Sequence, residues 1–187
     1  MLWERRGNTV YPSVEEAILS MSGQTEEALL HPPTFQPSSI PGIVEAGRVI
    51  FQARSEGRHA YIVGDYDADG ITSTAILSRL FKFLHIEHTT IIPKRLSDGY
   101  GVSECHVAGI QDSLIVTVDN GIAAGEILDK AAGRNNLIVV IDHHLPGEGV
   151  PASADVIIDP HMFPSACGFN DYCGAGLAYK LACHMLQ

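Results

Sequence analysis

The sequence is short of three things, and each shortage narrows its class. It has no apolar run long enough for a membrane span. Its longest runs, such as Leu137 to Ile141, stop far short of the roughly 20 residues that a bilayer requires. The opening Met1-Leu2-Trp3-Glu4-Arg5-Arg6 carries no apolar core of signal-peptide type, so a cytoplasmic protein is expected. Cys-x-x-Cys pairs are also missing: Cys105, Cys167, Cys173 and Cys183 are irregularly spaced, which suggests neither a disulfide framework nor a zinc ribbon. A site built from those last three cysteines and His161 fits no standard zinc spacing. Positive charge is scarce as well, with 12 Lys and Arg against 22 Asp and Glu and a net charge of -10. That argues against a broad basic surface for nucleic acid, because non-specific affinity for a polyanion rests on cations that neutralise phosphates.

What the sequence does contain is enough apolar material for a core: 187 residues, 45% of them hydrophobic, suit one compact domain. Residues 1–58 read as an N-terminal helical arm. They comprise a helical pattern from Val14 to Met21, a connector with Pro32, Pro33, Pro37 and Pro41, and a longer helix from Ile43 to Ser55. In residues 59–187 the pattern changes to short β-branched runs at Ala60–Gly64, Thr89–Ile92, Leu114–Val118, Leu137–Ile141 and Val156–Ile158. Helical periods separate them, one through Ile76, Leu80 and Leu84, a weaker one at Ser103–Ile110, and a third at Ile122–Ala132. Strand and helix in alternation predict an α/β fold, a parallel sheet with helices on both faces.

Polar residues cluster directly after the strands. Asp65 to Gly70, Asp119 to Gly121, Asp142 to His144 and Asp159 to His161 each follow one. In an open parallel sheet those carboxyl ends share the edge where ligands bind. Asp65, Asp67 and Asp69 alternate in one turn before a helix, and unpaired they would repel one another. Hard cations among the oxygens relieve that, and Gly70 leaves the helix N–H groups open to a phosphate. Taken singly, Asp69 also suits a helix cap and Asn120-Gly121 a turn. Asp142-His143-His144 adds two imidazoles, which can serve as ligands or proton donors. Aspartate and histidine without cysteine suit Mn2+ or Mg2+, with Asp119 able to bridge two ions. Two divalent ions would bring the net charge from -10 to -6. In the loop after Pro93, Arg95 is a candidate for bidentate contact with a phosphate and Tyr100 for stacking on a base. A solvated loop accounts for the same composition.

In this order, Asp65-Tyr66-Asp67-Ala68-Asp69-Gly70, Asp119-Asn120-Gly121 and Asp142-His143-His144 resemble the three leading motifs of the DHH phosphoesterase superfamily. The resemblance runs from about Ala46 to the end. Pro93-Lys94-Arg95 with Asp98-Gly99-Tyr100-Gly101, and Cys173-Gly174-Ala175-Gly176 with the helix that follows, resemble its RecJ-type exonuclease branch. The resemblance implies Asp67, Asp69, Asp119 and His143 as metal ligands, with Asp65 in or beside that set. It implies His144 as a ligand or phosphate contact and Arg95 as a phosphate contact. Two divalent ions, manganese before magnesium, are implied as cofactors and single-stranded DNA as substrate, with replication or repair proteins as further partners.

The activity so implied is 5′ to 3′ hydrolysis of single-stranded DNA to mononucleotides in repair and recombination. Its rivals are a phosphodiesterase for short oligoribonucleotides, cyclic dinucleotides or nucleoside bisphosphates, and a catalytically inactive DHH scaffold. The helical pattern Gly176–Leu186 runs to the end without a stop signal, so the expectation is a piece of a longer protein that lacks a further aspartate and the domains gripping the strand.

Overall fold

The computed structural model describes residues 9–31, 34–94 and 101–187. It divides into two compact units, Met1–Thr34 and Phe35–Gln187. The first carries α1 (Val14–Ser22) and α2 (Glu26–Leu30), capped by the side chains of Ser13 and Thr25. Neither helix buries a residue.

The second unit holds α3 (Ile43–Ser55) and a five-stranded sheet of β1 (Ala60–Val63), β2 (His88–Ile91), β3 (Leu114–Val118), β4 (Leu137–Ile141) and β5 (Val156–Ile158). Between and after the strands come α4 (Ala68–Phe83), α5 (Glu104–Val107), α6 (Gly125–Ala132) and α7 (Gly174–Met185). Every strand pair is parallel, and the α/β class read from the sequence holds. The strand pattern explains why. Successive residues of a strand face opposite ways, so Val139 and Ile141 enter one apolar cluster with residues of α3, α4 and α7, while Ile138 and Val140 enter another with residues of α5 and α6. A sheet covered on both faces needs apolar residues at every position, and β3 is buried throughout.

The helix Ile43–Ser55, grouped with the arm in the sequence reading, lies in the larger unit. Ile43, Ala46, Ile50 and Ala53 are fully buried in its core. Apolar spacing reveals the buried face of a helix but not the partner it packs against. The family-type boundary near residue 59 and the boundary of the compact unit at Phe35 therefore describe different things.

Strand order β2-β1-β3-β4-β5 sends the chain outward from β1 to β2 and then back across β1 to β3. The connections that leave the adjacent carboxyl ends of β1 and β3 therefore run to opposite faces, α4 on one and α6 on the other, and such a switch point is where open parallel sheets form their binding crevice. Asp65 follows β1 there and Asp119 follows β3. Among the described residues, no helix is long and apolar enough to cross a membrane.

If α3 belongs to this core, Ile50→Ala should lower stability in urea unfolding by about 2–5 kcal/mol. Its exposed neighbour Phe51, changed to Ala, should cost no more than about 0.5 kcal/mol. Equal small effects would remove α3 from the core.

Candidate metal centre

Asp65 is 2% exposed, and its Oδ1 accepts the N–H of Tyr66 at 2.7 Å. Two residues on, Asp67 is the N-cap of α4, its Oδ1 accepting the Gly70 N–H at 2.9 Å. α4 thus begins at Ala68, earlier than the apolar period shows, with Asp69 and Gly70 in its first turn. A Cβ on Gly70 would lie 2.6 Å from backbone atoms of Asp65, so the close return of helix onto strand end requires glycine.

At the end of β3, Asp119 adopts a left-handed backbone (φ 61°), a conformation that Asp and Asn tolerate better than most residues. Its side chain meets two sets of donors. Asp65, Asp67 and Asp119 each offer a ligand atom, all within 4.8 Å of one another, and so do Asp119, His143 and His144. Asp119 is common to both groups.

Beyond β4 the three polar residues divide their tasks. Asp142, 1% exposed, spends its oxygens inside the protein. Oδ1 accepts the N–H groups of His143 (2.8 Å) and His144 (3.2 Å) and meets His144 Nδ1 at 2.7 Å. Oδ2 accepts the Ile122 N–H at 2.9 Å. That last bond holds the β3–α6 turn, so α6 starts at Gly125 rather than at Ile122 as the periodicity suggests. His143 Nε2 points the other way, 3.0 Å from Asp119 Oδ1 and 3.5 Å from Asp69 Oδ2.

Asp69 carries a contact that the sequence does not announce. Its two oxygens accept the N–H groups of Gly174 and Ala175, each at 2.8 Å. The start of α7 is thereby tied to the start of α4. A Cβ on Gly174 would stand 2.7 Å from Asp119 Oδ1, so a glycine is needed for α7 to come this close. Motif recognition marked Cys173 to Gly176 as family-like without giving a reason, and this contact supplies one. Asp69, expected as a ligand, falls outside both donor groups, and so does Asp159, whose Oδ1 accepts the His161 N–H at 2.8 Å. Arg95 and Tyr100 lie outside the described residues. Cys167, Cys173, Cys183 and His161 form no metal-holding group among the described residues.

Burial, reinforced by repulsion from Asp69 and Asp67, pushes the Asp119 carboxyl up to about 8. Burial also raises Asp65 and lifts Asp159 to about 6. Burial alone would raise Asp142 as well, but the hydrogen bonds from His144 and Ile122 outweigh it and the net shift is downward. Asp69 behaves likewise, the Ala175 and Gly174 N–H groups overcoming burial. The histidines diverge. Hydrogen bonding to Asp142 raises His144 to about 9, whereas burial and the neighbouring His144 charge lower His143.

The donor set fits a hard divalent cation. One group is all carboxylate and the other joins a carboxylate to two imidazoles, and neither contains a thiolate. Asp119 Oδ1 is buried and makes no hydrogen bond of good geometry, despite the nearby His143. A buried carboxylate oxygen without a donor costs about 1–3 kcal/mol or more, and a cation held between the two groups would remove that cost.

Three comparisons bear on this geometry. The DHH family, N-terminal domain, matches residues 59–187. Single-stranded-DNA-specific exonucleases RecJ from Dickeya dadantii and Escherichia coli are 41% and 38% identical, each over 76% of this chain but 25% of their own length. The chain thus spans about a quarter of the curated relatives it matches. Among solved structures, an exonuclease RecJ bound to manganese aligns with a TM-score of 0.71 at 33% identity, covering 78% of this chain and 37% of its own. RecJ from Thermus thermophilus in complex with Mn2+ aligns with a TM-score of 0.69 at 29% identity, over 90% of this chain and 24% of its own.

Stability should report the unmet charge at Asp119. A carboxyl raised by folding to about 8 favours the folded state at low pH and loses that advantage as pH rises towards 8. His144, raised to about 9, loses its own contribution between about pH 6.5 and 9. The cation-free protein should therefore melt at progressively lower temperature from about pH 6 to 9, and saturating Mn2+ should flatten the decline. Asp119→Asn, which keeps the left-handed backbone, should raise the cation-free melting temperature at pH 8 by several degrees, at about 2–4 °C per kcal/mol. It should also abolish the Mn2+-induced rise. A variant that still responds fully to Mn2+ would remove Asp119 from the centre.

Proposed function

The chain belongs to the DHH family, and from that membership we propose that it carries the phosphodiester-hydrolysing centre of a single-stranded-DNA exonuclease working from the 5′ end. The observation that supports the reading is the sharing of Asp119 between two groups that could each hold a cation. One group, Asp65, Asp67 and Asp119, would hold one divalent ion. The other, Asp119 with His143, would hold a second, and Asp119 would bridge them. Manganese comes first and magnesium second, since relatives have been crystallised with either ion. When bound, such ions supply Lewis acidity toward phosphoryl oxygens and make water more acidic.

The remaining work falls to the chain's own side chains. His144 has Nδ1 engaged by Asp142 at 2.7 Å, which fixes the ring and favours its cationic form. It is therefore assigned to contact a non-bridging oxygen of the scissile phosphate. His143, held neutral by burial, keeps a lone pair for coordination. Asp142 orients His144 and, through the Ile122 N–H, the turn after β3. Asp69 ties α7 to the same edge, which fixes the distance between the motifs. Arg95 and Tyr100 are assigned, on sequence alone, to substrate phosphate and base. Release of 5′-mononucleotides and a cytoplasmic setting in DNA repair and recombination belong to the same proposal.

The test is Mn2+-dependent degradation of a 5′-labelled single-stranded oligonucleotide by this chain, with a duplex and a dinucleotide run in parallel. Mononucleotides should come from the single strand alone, and Asp67→Ala or Asp119→Asn should each lower the rate more than about 100-fold with the far-ultraviolet circular dichroism unchanged. Preferential cleavage of the dinucleotide would replace the exonuclease with a small-substrate phosphodiesterase. Mn2+ binding without cleavage of any substrate would leave a cation-binding scaffold.

A further inference from the structure

Next to the centre, on the α6 side, is a cleft of about 200 Å³ between the β3–α6 turn, the segment leading into α5 and the residues after β4. Its walls are mainly aliphatic, with Val102, Ile122, Ile127 and Leu145 among them, and three polar side chains, Asn120, Asp142 and His144, join them, Asp142 with its oxygens already taken by backbone N–H groups and His144. Asn120 is 2% exposed. Its Nδ2 donates to the carbonyls of Val118 at 3.1 Å and Val63 at 3.4 Å, which fixes the orientation of the amide. Its Oδ1 is buried and accepts no hydrogen bond. An orphaned acceptor on a residue that lines an apolar recess lacks an N–H or O–H partner. His144 belongs both to this lining and to the donor group with Asp119 and His143, so the recess adjoins the place where a phosphate would react.

Resting on the function proposed above, we propose that this cleft is a nucleobase subsite. One base of the strand would insert between the aliphatic walls, with Asn120 Oδ1 accepting an N–H from its edge and His144 meeting the adjoining phosphate. The size suits one ring system, since pockets that enclose drug-sized ligands run to roughly 300–1,000 Å³. Every nucleobase carries an N–H donor on its pairing edge. A lone acceptor therefore recognises a base without choosing among the four, which suits an enzyme that must remove each nucleotide in turn.

Methyl-labelled chain titrated in Mg2+ with dAMP, dTMP, 2-deoxyribose 5-phosphate and inorganic phosphate separates the possibilities by NMR. Both nucleotides should shift the methyls of Ile122, Ile127, Val102 and Leu145, and should bind about tenfold more tightly than the base-free sugar phosphate. Ala123→Phe, which fills the cleft from its exposed rim, should erase that tenfold difference and leave the Mg2+ response intact. Leu145→Ala, at a residue 79% exposed, should reduce the difference several-fold without risk to the fold. Equal affinity for dAMP and the base-free sugar phosphate, with Mg2+ and phosphate still bound, would overturn the subsite and leave the proposed function standing. Failure to bind either Mg2+ or phosphate would overturn both.

Discussion

An ionised carboxylate taken out of water needs donors or a counter-charge, and the carboxyl edge of this sheet is organised by that requirement. Aspartates converge on the ends of β1, β3 and β4, and the chain supplies backbone N–H groups to most of them: Tyr66 to Asp65, Gly70 to Asp67, Gly174 and Ala175 to Asp69, and Ile122, His143 and His144 to Asp142. Asp119 lies in the middle of this set with a buried oxygen left over. That unmet oxygen, common to both candidate donor groups, is where a cation would relieve the greatest cost. The close helix starts at Gly70 and Gly174 serve the same end, because they bring backbone N–H groups and the positive ends of helix dipoles to a crowded negative edge.

Two adjacent histidines acquire opposite characters there. They share a strand end and an intrinsic chemistry, but His144 faces Asp142 at 2.7 Å and is driven towards its cationic form, while His143 is turned into the cluster and kept neutral. A neutral imidazole can coordinate, and a charged one can bind an oxyanion. On the proposed function the pair would cover both tasks of a phosphoryl centre with two consecutive residues, and Asp142, which belongs to neither donor group, would set the division.

Much of this was legible in the chain. β3, β4 and β5 have the bounds that their β-branched runs indicate, because a strand buried on both faces leaves an unbroken apolar signal. Asp65, Asp67, Asp119, His143 and His144 converge because short connections after parallel strands must share one edge. What stayed hidden depends on contacts between distant parts of the sequence. Nothing local to Asp69 reports that its oxygens will be taken by Gly174 and Ala175, 105 and 106 residues away. Nothing in Ile43–Ser55 reports that its apolar face will close the core beside α4 and α7. Residue type identifies which side chains can hold a metal, but which backbone N–H groups each carboxylate also accepts is set by the fold.

The net charge of -10, read alone, counts against a polyanionic substrate, and the fold changes the weight of that objection. On the proposed function, repulsion matters where a strand would lie, and there the negative charge is concentrated in groups that could hold cations. Divalent ions bound among Asp65, Asp67, Asp119 and His143 would reverse the local field while shifting the total only from -10 to -6. The adjoining cleft is walled mainly by aliphatic side chains, and the one carboxylate in its lining, Asp142, is paired with His144. If the proposed centre holds, cation and strand binding would favour one another: without cations the edge would repel a phosphate, and with them it would attract one. The same crowding that burdens the cation-free fold would then give the occupied centre its hold on phosphate.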